Sequence, residues 1–139
     1  MTNTVENFRD KIAWVADALI PSDAALGMPS ATEAGLLDRM LPRALKERDD
    51  MAPKFFNALS RLPDDRPSDA LGAIKTLNPD DFYVISFLIA GAYFLDEAVT
   101  RKLGYPGQEA IYENPDYDEI METVDRVQSR GDVYLDVKE

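Results

Sequence analysis

The sequence predicts an all-α protein: a single domain of about six helices around a central apolar helix, with an acidic C-terminal extension. Apolar residues recur at intervals of three and four along most of the chain, which is the periodicity of amphipathic helices. The 139 residues, 45% hydrophobic and 29% charged, have the size and composition of one globular domain. We expect residues 1–108 to form the helical domain and residues 109–139 to form the extension, which docks on a partner.

The first helix is predicted from an apolar stripe that ends before Pro21. Asn3 and Glu6 have the spacing of a capping box at its start. Phe8 and Trp14 lie in this segment at helical spacing, so we interpret both aromatic residues as core rather than as a ligand box.

Three further helices are predicted before the central one. Residues 21–29 (PSDAALGMP) are rich in helix breakers and predict a loop. Ser30 and Glu33 predict a second capping box, which opens a helix that Pro42 kinks or restarts. A third helix is predicted to start near Pro53, and a short fourth helix follows the turn at residues 62–67.

The central helix is predicted to begin at Pro79 and to continue to about Leu103. Asn78 supplies its N-cap and Gly104 its C-cap. Residues 82–95 carry no charge, and this run is shorter than the ~20 residues that span a bilayer, so we expect a buried helix. The larger aromatic residues of this half of the chain are assigned to the core: Phe55, Phe56, Phe82, Phe87, Tyr93 and Phe94.

The extension contains ten acidic residues and three basic ones between residues 109 and 139. The start signal Asn114-Pro115-Asp116 predicts a final amphipathic helix that ends near Arg130. Residues 133–137 alternate in polarity and are either frayed or added to an edge or groove of another chain. The acidity indicates either a solvated tail or docking on a basic partner.

The residue types on which most enzymes depend are missing. The sequence has no histidine and no cysteine, which excludes Ser-His-Asp and Cys-His nucleophiles and disulfides, and no zinc site is expected. The acidic pair Asp96 and Glu97 lies at the end of the apolar run, where Arg101 and Lys102 are at helical distance to neutralise it. We therefore predict no catalytic, cofactor-binding or metal-binding residue in this chain.

The net charge of −11 disfavours nucleic acid and anionic membrane surfaces as partners, because both are bound by clustered lysine and arginine. The N-terminal residues show no targeting signal, and no segment is expected to span a membrane. We expect a cytoplasmic protein.

Two parts of the chain carry a set of motifs in a fixed order. ADALIPSD at residues 16–23 is followed by MPSATEAGLLDRML at residues 28–41. GAYFLDEAV at residues 91–99 leads into LGYPGQ at residues 103–108. In this order and spacing the chain resembles the gluconate 2-dehydrogenase subunit 3 family, the small (gamma) subunits of membrane-linked sugar and sugar-acid dehydrogenases. The resemblance extends from residue 12 to residue 108.

The resemblance implies an accessory subunit in a hetero-oligomer. Its partner would be a large flavoprotein of the glucose-methanol-choline type, which holds FAD and performs the oxidation, whereas this chain would hold no cofactor. Two features depart from the family: a twin-arginine export signal is missing at the N-terminus, and the chain continues beyond Gly107. Both favour a cytoplasmic complex with additional docking surface.

Partner contacts are predicted at the Tyr-Pro turn, at the end of the first helix and in the tail: Tyr105, Pro106, Gly107, Ile20, Pro21, Val133, Tyr134 and Leu135. Two other functions stay open from the residues alone. The first alternative is a stand-alone acidic adaptor or inhibitor that binds a basic protein. The second is an enzyme that uses only Asp, Glu and Tyr.

Overall fold

A computed structural model describes residues 3–110 and 115–132 of the chain. The chain forms two compact units, residues 1–107 and residues 108–139. Over the described residues the regular secondary structure is helical and includes no β-strand, so the predicted all-α class is confirmed.

The first unit contains six α-helices, counted over its described residues. A 3₁₀ turn at Glu6–Phe8 precedes the first helix, and a π-helical turn at Leu36–Met40 leads directly into the second. The six helices are α1 (Arg9–Leu19), α2 (Leu41–Glu47), α3 (Ala52–Leu59), α4 (Ala70–Lys75), α5 (Pro79–Phe94) and α6 (Glu97–Lys102).

Helix α5 is the centre of the first unit, as predicted. It packs against α2, α3, α6 and the π-helical turn, while α1 packs against α4 and the same turn. Its inward residues Ile85, Leu88 and Ile89 are almost completely buried, as are Phe55 of α3 and Ile12 of α1. Each such side chain contributes roughly 1.5–3 kcal/mol through burial, so these residues are a substantial part of the driving force for folding.

The starts of the first two predicted helices differ from expectation. The capping box of Asn3 and Glu6 does not form, because Asn7 Oδ1 accepts hydrogen bonds from the Thr4 amide and hydroxyl (3.1 and 2.6 Å). Helix α1 consequently begins later, after the 3₁₀ turn.

The Ser30–Glu33 capping box does form, since Ser30 N donates to Glu33 Oε2 (2.7 Å) and Glu33 N donates to Ser30 Oγ (3.3 Å). Residues 31–35 nevertheless form only turns, and Gly35 adopts a left-handed conformation (φ +76°) directly before the π-helical turn. Helix α2 begins at Leu41, later than expected, and Pro42 lies in its first turn, where its missing amide proton is tolerated.

The predicted helix from Pro79 to Leu103 is two helices. Asn78 caps α5 as expected, because its Oδ1 accepts from Asp81 N (3.0 Å). The helix ends at Phe94, and Asp96 starts α6 by accepting from Ala98 N (2.9 Å) and Val99 N (3.1 Å). The Asp96 side chain thus accepts two amide hydrogen bonds at the start of a new helix, which explains why the predicted helix is divided. The described residues therefore contain one helix more than predicted.

The second unit contains α7 (Tyr117–Arg130) among its described residues. Asp116 is its N-cap and accepts from Asp118 N (3.0 Å) and Glu119 N (3.2 Å), and Gly131 follows its last turn. The predicted final helix is thereby confirmed. Asn114, the first residue of its predicted start signal, lies outside the described residues.

Candidate functional site

The motif residues at the end of α1 form a hydrogen-bonded corner. Asp17 accepts from both the amide and the hydroxyl of Thr32 (2.9 and 2.5 Å), which joins α1 to the segment that follows the 21–29 loop. The Ala31 amide donates to the Ile20 carbonyl (3.1 Å), so the backbone at the end of α1 is fixed at the same point. Ile20 is partly buried and packs against the core, while Pro21 is exposed.

The C-terminal end of α5 is tied to that corner by the later motif. Tyr93 is buried, and its hydroxyl donates to the Pro29 carbonyl (2.7 Å). Burial, supported by the nearby Asp96 and Glu33 carboxylates, raises the pKa of Tyr93, which keeps the phenol protonated as a donor. Lys102 Nζ donates to the Gly27 carbonyl (2.6 Å) and ties the loop to α6.

Asp96 is a structural carboxylate. It is only 6% exposed, and besides capping α6 it accepts a hydrogen bond from Arg39 Nη2 (2.9 Å). The expectation that Arg101 and Lys102 neutralise this acidic pair is wrong for Asp96, because its partner comes from the π-helical turn. Arg101 approaches only Glu97, at 4.0 Å. Arg39 is a residue that sequence reasoning missed, since no local spacing connects it to Asp96.

The outer face of α5 is apolar and exposed, with the Arg48 guanidinium lying over the Phe87 ring at 5.5 Å from its centroid. Tyr83, Phe87 and Phe94 are exposed along one side of the helix, and the rings of Tyr83 and Phe87 stack at a centroid distance of 5.5 Å. The assignment of Phe87 and Phe94 to the core is therefore wrong. An uninterrupted apolar run gives no periodicity from which an outer face can be recognised.

The loop after α6 forms a rigid turn. Gly104 is left-handed (φ +75°), its amide donates to the Arg101 carbonyl (3.0 Å), and the Tyr105 amide donates to the Thr100 carbonyl (2.9 Å). This is the Schellman pattern of helix termination, so the predicted role of Gly104 as a C-cap is confirmed for α6. The turn fixes the backbone at Tyr105, whose side chain is 55% exposed.

Residues of the two late motifs line one groove at this end of the unit. Phe94 and Leu95 at the end of α5 form its apolar side together with Tyr105, Pro106 and Gly107. Phe94 is 53% exposed. Glu97, Thr100 and Arg101 of α6 add polar groups. We call this set of eight residues the Tyr-Pro groove.

The structure brings together three of the predicted contact residues, Tyr105, Pro106 and Gly107, in the Tyr-Pro groove. Ile20 and Pro21 are not among the residues that line it. The remaining three, Val133, Tyr134 and Leu135, lie outside the described residues. Phe94 and Leu95 complete the groove, and nothing in the local sequence pattern distinguishes them from core residues.

Helix α7 also carries an exposed apolar face. Its large side chains Ile120, Met121, Val124 and Val127 are exposed, as is Tyr117 at its first position. These residues recur at intervals of three and four, so they share one side of the helix.

The groups available for chemistry in the described residues are few. Among residues 3–110 and 115–132 no cluster of three or more acidic side chains could hold a metal ion. The same residues contain no helix that is long and apolar enough to cross a membrane. Comparison of the chain with models of protein families, with curated proteins and with solved structures finds no match.

Proposed function

We propose that this chain is the noncatalytic small (gamma) subunit of an FAD-dependent dehydrogenase of the glucose-methanol-choline type, which oxidises a sugar or an alcohol. One observation carries the proposal: residues of the two late motifs, 91–99 and 103–108, which belong to the resemblance to gluconate 2-dehydrogenase subunit 3, line a single exposed groove, the Tyr-Pro groove. The FAD belongs to the large partner subunit. Cytoplasmic residence of the complex, expected from the sequence, is part of this proposal.

The Tyr-Pro groove has the properties of a protein contact. Tyr105 and Phe94 offer large, partly apolar rings, the kind of side chain that contributes most of the energy in protein interfaces. The Schellman turn and the α5 helix fix the backbone at both residues before binding, so little backbone entropy is lost on association. Burial of this surface would stabilise the complex.

The chemical inventory supports an accessory role rather than catalysis. The sequence contains no histidine or cysteine, and its buried carboxylate, Asp96, already serves as a helix cap and as the partner of Arg39. In the proposed complex this subunit covers apolar surface of the flavoprotein and fixes its loops. The oxidation itself takes place on the partner.

The test is affinity purification of the tagged full-length chain from cells that express it naturally, followed by an absorption spectrum of the eluate. We expect a large protein with the two visible bands of oxidised flavin. The eluate should oxidise sugars or alcohols with an artificial electron acceptor, whereas the isolated chain should not. A colourless basic partner would instead support the adaptor function, and turnover by the isolated chain that D96N abolishes would support the enzyme.

Substitutions in the Tyr-Pro groove test the contact itself. F94A and Y105A remove exposed rings, so we expect each to weaken the complex about tenfold while the fold is kept. L71A is the matched control, because Leu71 is an exposed apolar residue of α4 outside the groove. Equal flavoprotein recovery with F94A, Y105A and L71A would contradict a role for the groove.

A further inference from the structure

The apolar face of α7 runs from Tyr117 to Val127, and the polar Gln128 follows on the same face. Its five side chains are all exposed, and Val124 at the centre of the face is the least exposed of them at 39%. A helix of 14 residues with anchors at such spacing has the pattern of helices that bind in apolar grooves of other proteins. The five anchors are Tyr117, Ile120, Met121, Val124 and Val127.

The two borders of this face differ in charge. Asp118 and Asp125, about two turns apart, lie along one border, and Thr123 and Arg130 lie along the other. Glu122 and Arg126 are on the far side of the helix, where they approach each other at 3.7 Å. A binding surface that matches the helix must therefore be basic along the wall that faces Asp118 and Asp125, and not along the wall that faces Arg130.

We propose that α7 binds in a groove of the large flavoprotein subunit, with an apolar floor and with lysine or arginine side chains along the wall that faces Asp118 and Asp125. This inference rests on the proposed function. The apolar anchors supply the buried contact, and the aspartate border fixes the direction in which the helix lies. The residues of this contact are distinct from the eight residues of the Tyr-Pro groove, so the small subunit holds its partner through two sets of residues.

Two other occupants fit the face less well. In a pair of α7 helices from two copies, the seam is only 14 residues long, and helices this short are marginal without a larger packing surface. Helices that lie on anionic membranes carry lysine and arginine beside the apolar face, whereas α7 has two aspartates there. A basic-walled protein groove satisfies both the apolar anchors and the acidic border.

The test compares two full-length double variants with the same change in charge. D118K/D125K reverses the charge of the acidic border. E119K/E122K reverses the charge of two acidic residues that do not lie on that border. Binding to the purified flavoprotein is titrated at low and at high salt, with circular dichroism as a check on helix content. We expect D118K/D125K to weaken binding about tenfold at low salt and by much less at high salt, while E119K/E122K stays close to wild type. V124Q should weaken binding at both salt concentrations.

The outcomes separate this inference from the proposed function. If wild-type chain binds the flavoprotein and the two double variants bind equally, the α7 inference is overturned and the proposed function stands. If wild-type chain recovers no flavin-containing partner, both are overturned. The inference is also overturned if the isolated chain forms a dimer that V124Q abolishes, or if it sediments with vesicles of phosphatidylcholine and phosphatidylserine through the same residue.

Discussion

Arg39 of the π-helical turn donates a hydrogen bond from Nη2 to Oδ2 of the buried Asp96 at 2.9 Å. The other carboxylate oxygen of Asp96 accepts two amide hydrogen bonds from the first turn of α6. One side chain thus starts α6 and attaches it to the π-helical turn at Leu36–Met40. The Asp96 carboxylate at the end of the apolar run is a structural junction.

Removal of this junction should destabilise the fold strongly. D96A loses an N-cap and a charged hydrogen bond, so we expect the free energy of unfolding to fall by about 2–4 kcal/mol. D96N keeps an oxygen for the cap and should cost less. Urea denaturation followed by circular dichroism measures both. E97A is the matched control, since the neighbouring Glu97 side chain is 93% exposed and should contribute almost nothing. Equal losses for D96A and E97A would contradict the assigned role.

Several helix boundaries could be predicted from capping residues that are recognisable in the sequence. Asn78 before a proline and two aspartates predicts a helix start, and its side chain caps α5. Gly104 predicts a helix end, and the Schellman bonds form there. Such caps act between residues two to five positions apart, so no tertiary information is needed to recognise them.

The outer surface and the long-range pairs could not be predicted in the same way. Helix α5 is apolar on nearly every side, and only the placement of α2, α3 and α6 decides that Phe87 and Phe94 remain exposed. Likewise, the Arg39–Asp96 pair depends on how the π-helical turn packs on α5. Both features require the assembled fold.

Lys11 should be important for stability although its ion pair is not. The Lys11 side chain is buried. Its Nζ donates to the carbonyls of Leu62 (2.7 Å) and Leu59 (3.2 Å), which lie at and just after the C-terminal end of α3. K11M keeps the apolar stem but leaves the Leu62 carbonyl without this donor, so we expect a loss of about 1–3 kcal/mol in thermal or urea denaturation.

The charge partner of Lys11 is Asp64, whose Oδ1 lies 2.8 Å from Nζ and whose side chain is almost fully exposed. D64N should change stability by less than about 0.5 kcal/mol. A loss in D64N as large as that in K11M would show that the ion pair, and not the carbonyl bonds, anchors this loop.

Two glycines should respond to alanine in opposite directions. Gly35 has φ +76°, where a Cβ is strained, so G35A should destabilise the protein by about 1–2 kcal/mol. Gly91 is inside α5, three residues before its last residue, and a Cβ there would meet no atom within 4 Å beyond its chain neighbours and the helix's own backbone. G91A should stabilise the protein by about 0.5–1 kcal/mol, because alanine favours the helix. Melting temperatures that shift in the same direction for both variants would contradict the two backbone assignments.

The Tyr93 hydroxyl should give the protein a specific loss of stability at alkaline pH. Burial, together with Asp96 and Glu33, raises the pKa of Tyr93 in the folded state above its value of about 10 in the unfolded chain. A raised pKa means that the folded state retains the proton longer, so this contribution is complete below about pH 10 and is lost as the pH rises through the folded-state pKa. Y93F removes the bond to the Pro29 carbonyl and should cost about 1 kcal/mol at neutral pH.

The same variant removes the titration, so the stability difference between wild type and Y93F should shrink above about pH 10 and then reverse. Urea denaturation between neutral pH and the alkaline limit of folding measures this convergence. Y83F is the control, because Tyr83 is exposed on the outer face of α5 and its hydroxyl lies outside the corner that Tyr93 holds. Its stability curve should follow that of wild type throughout. If the Y93F and wild-type curves stay parallel instead, proton release from Tyr93 is not what destabilises the fold at high pH, and the bond to Pro29 acts without any linkage to its ionisation.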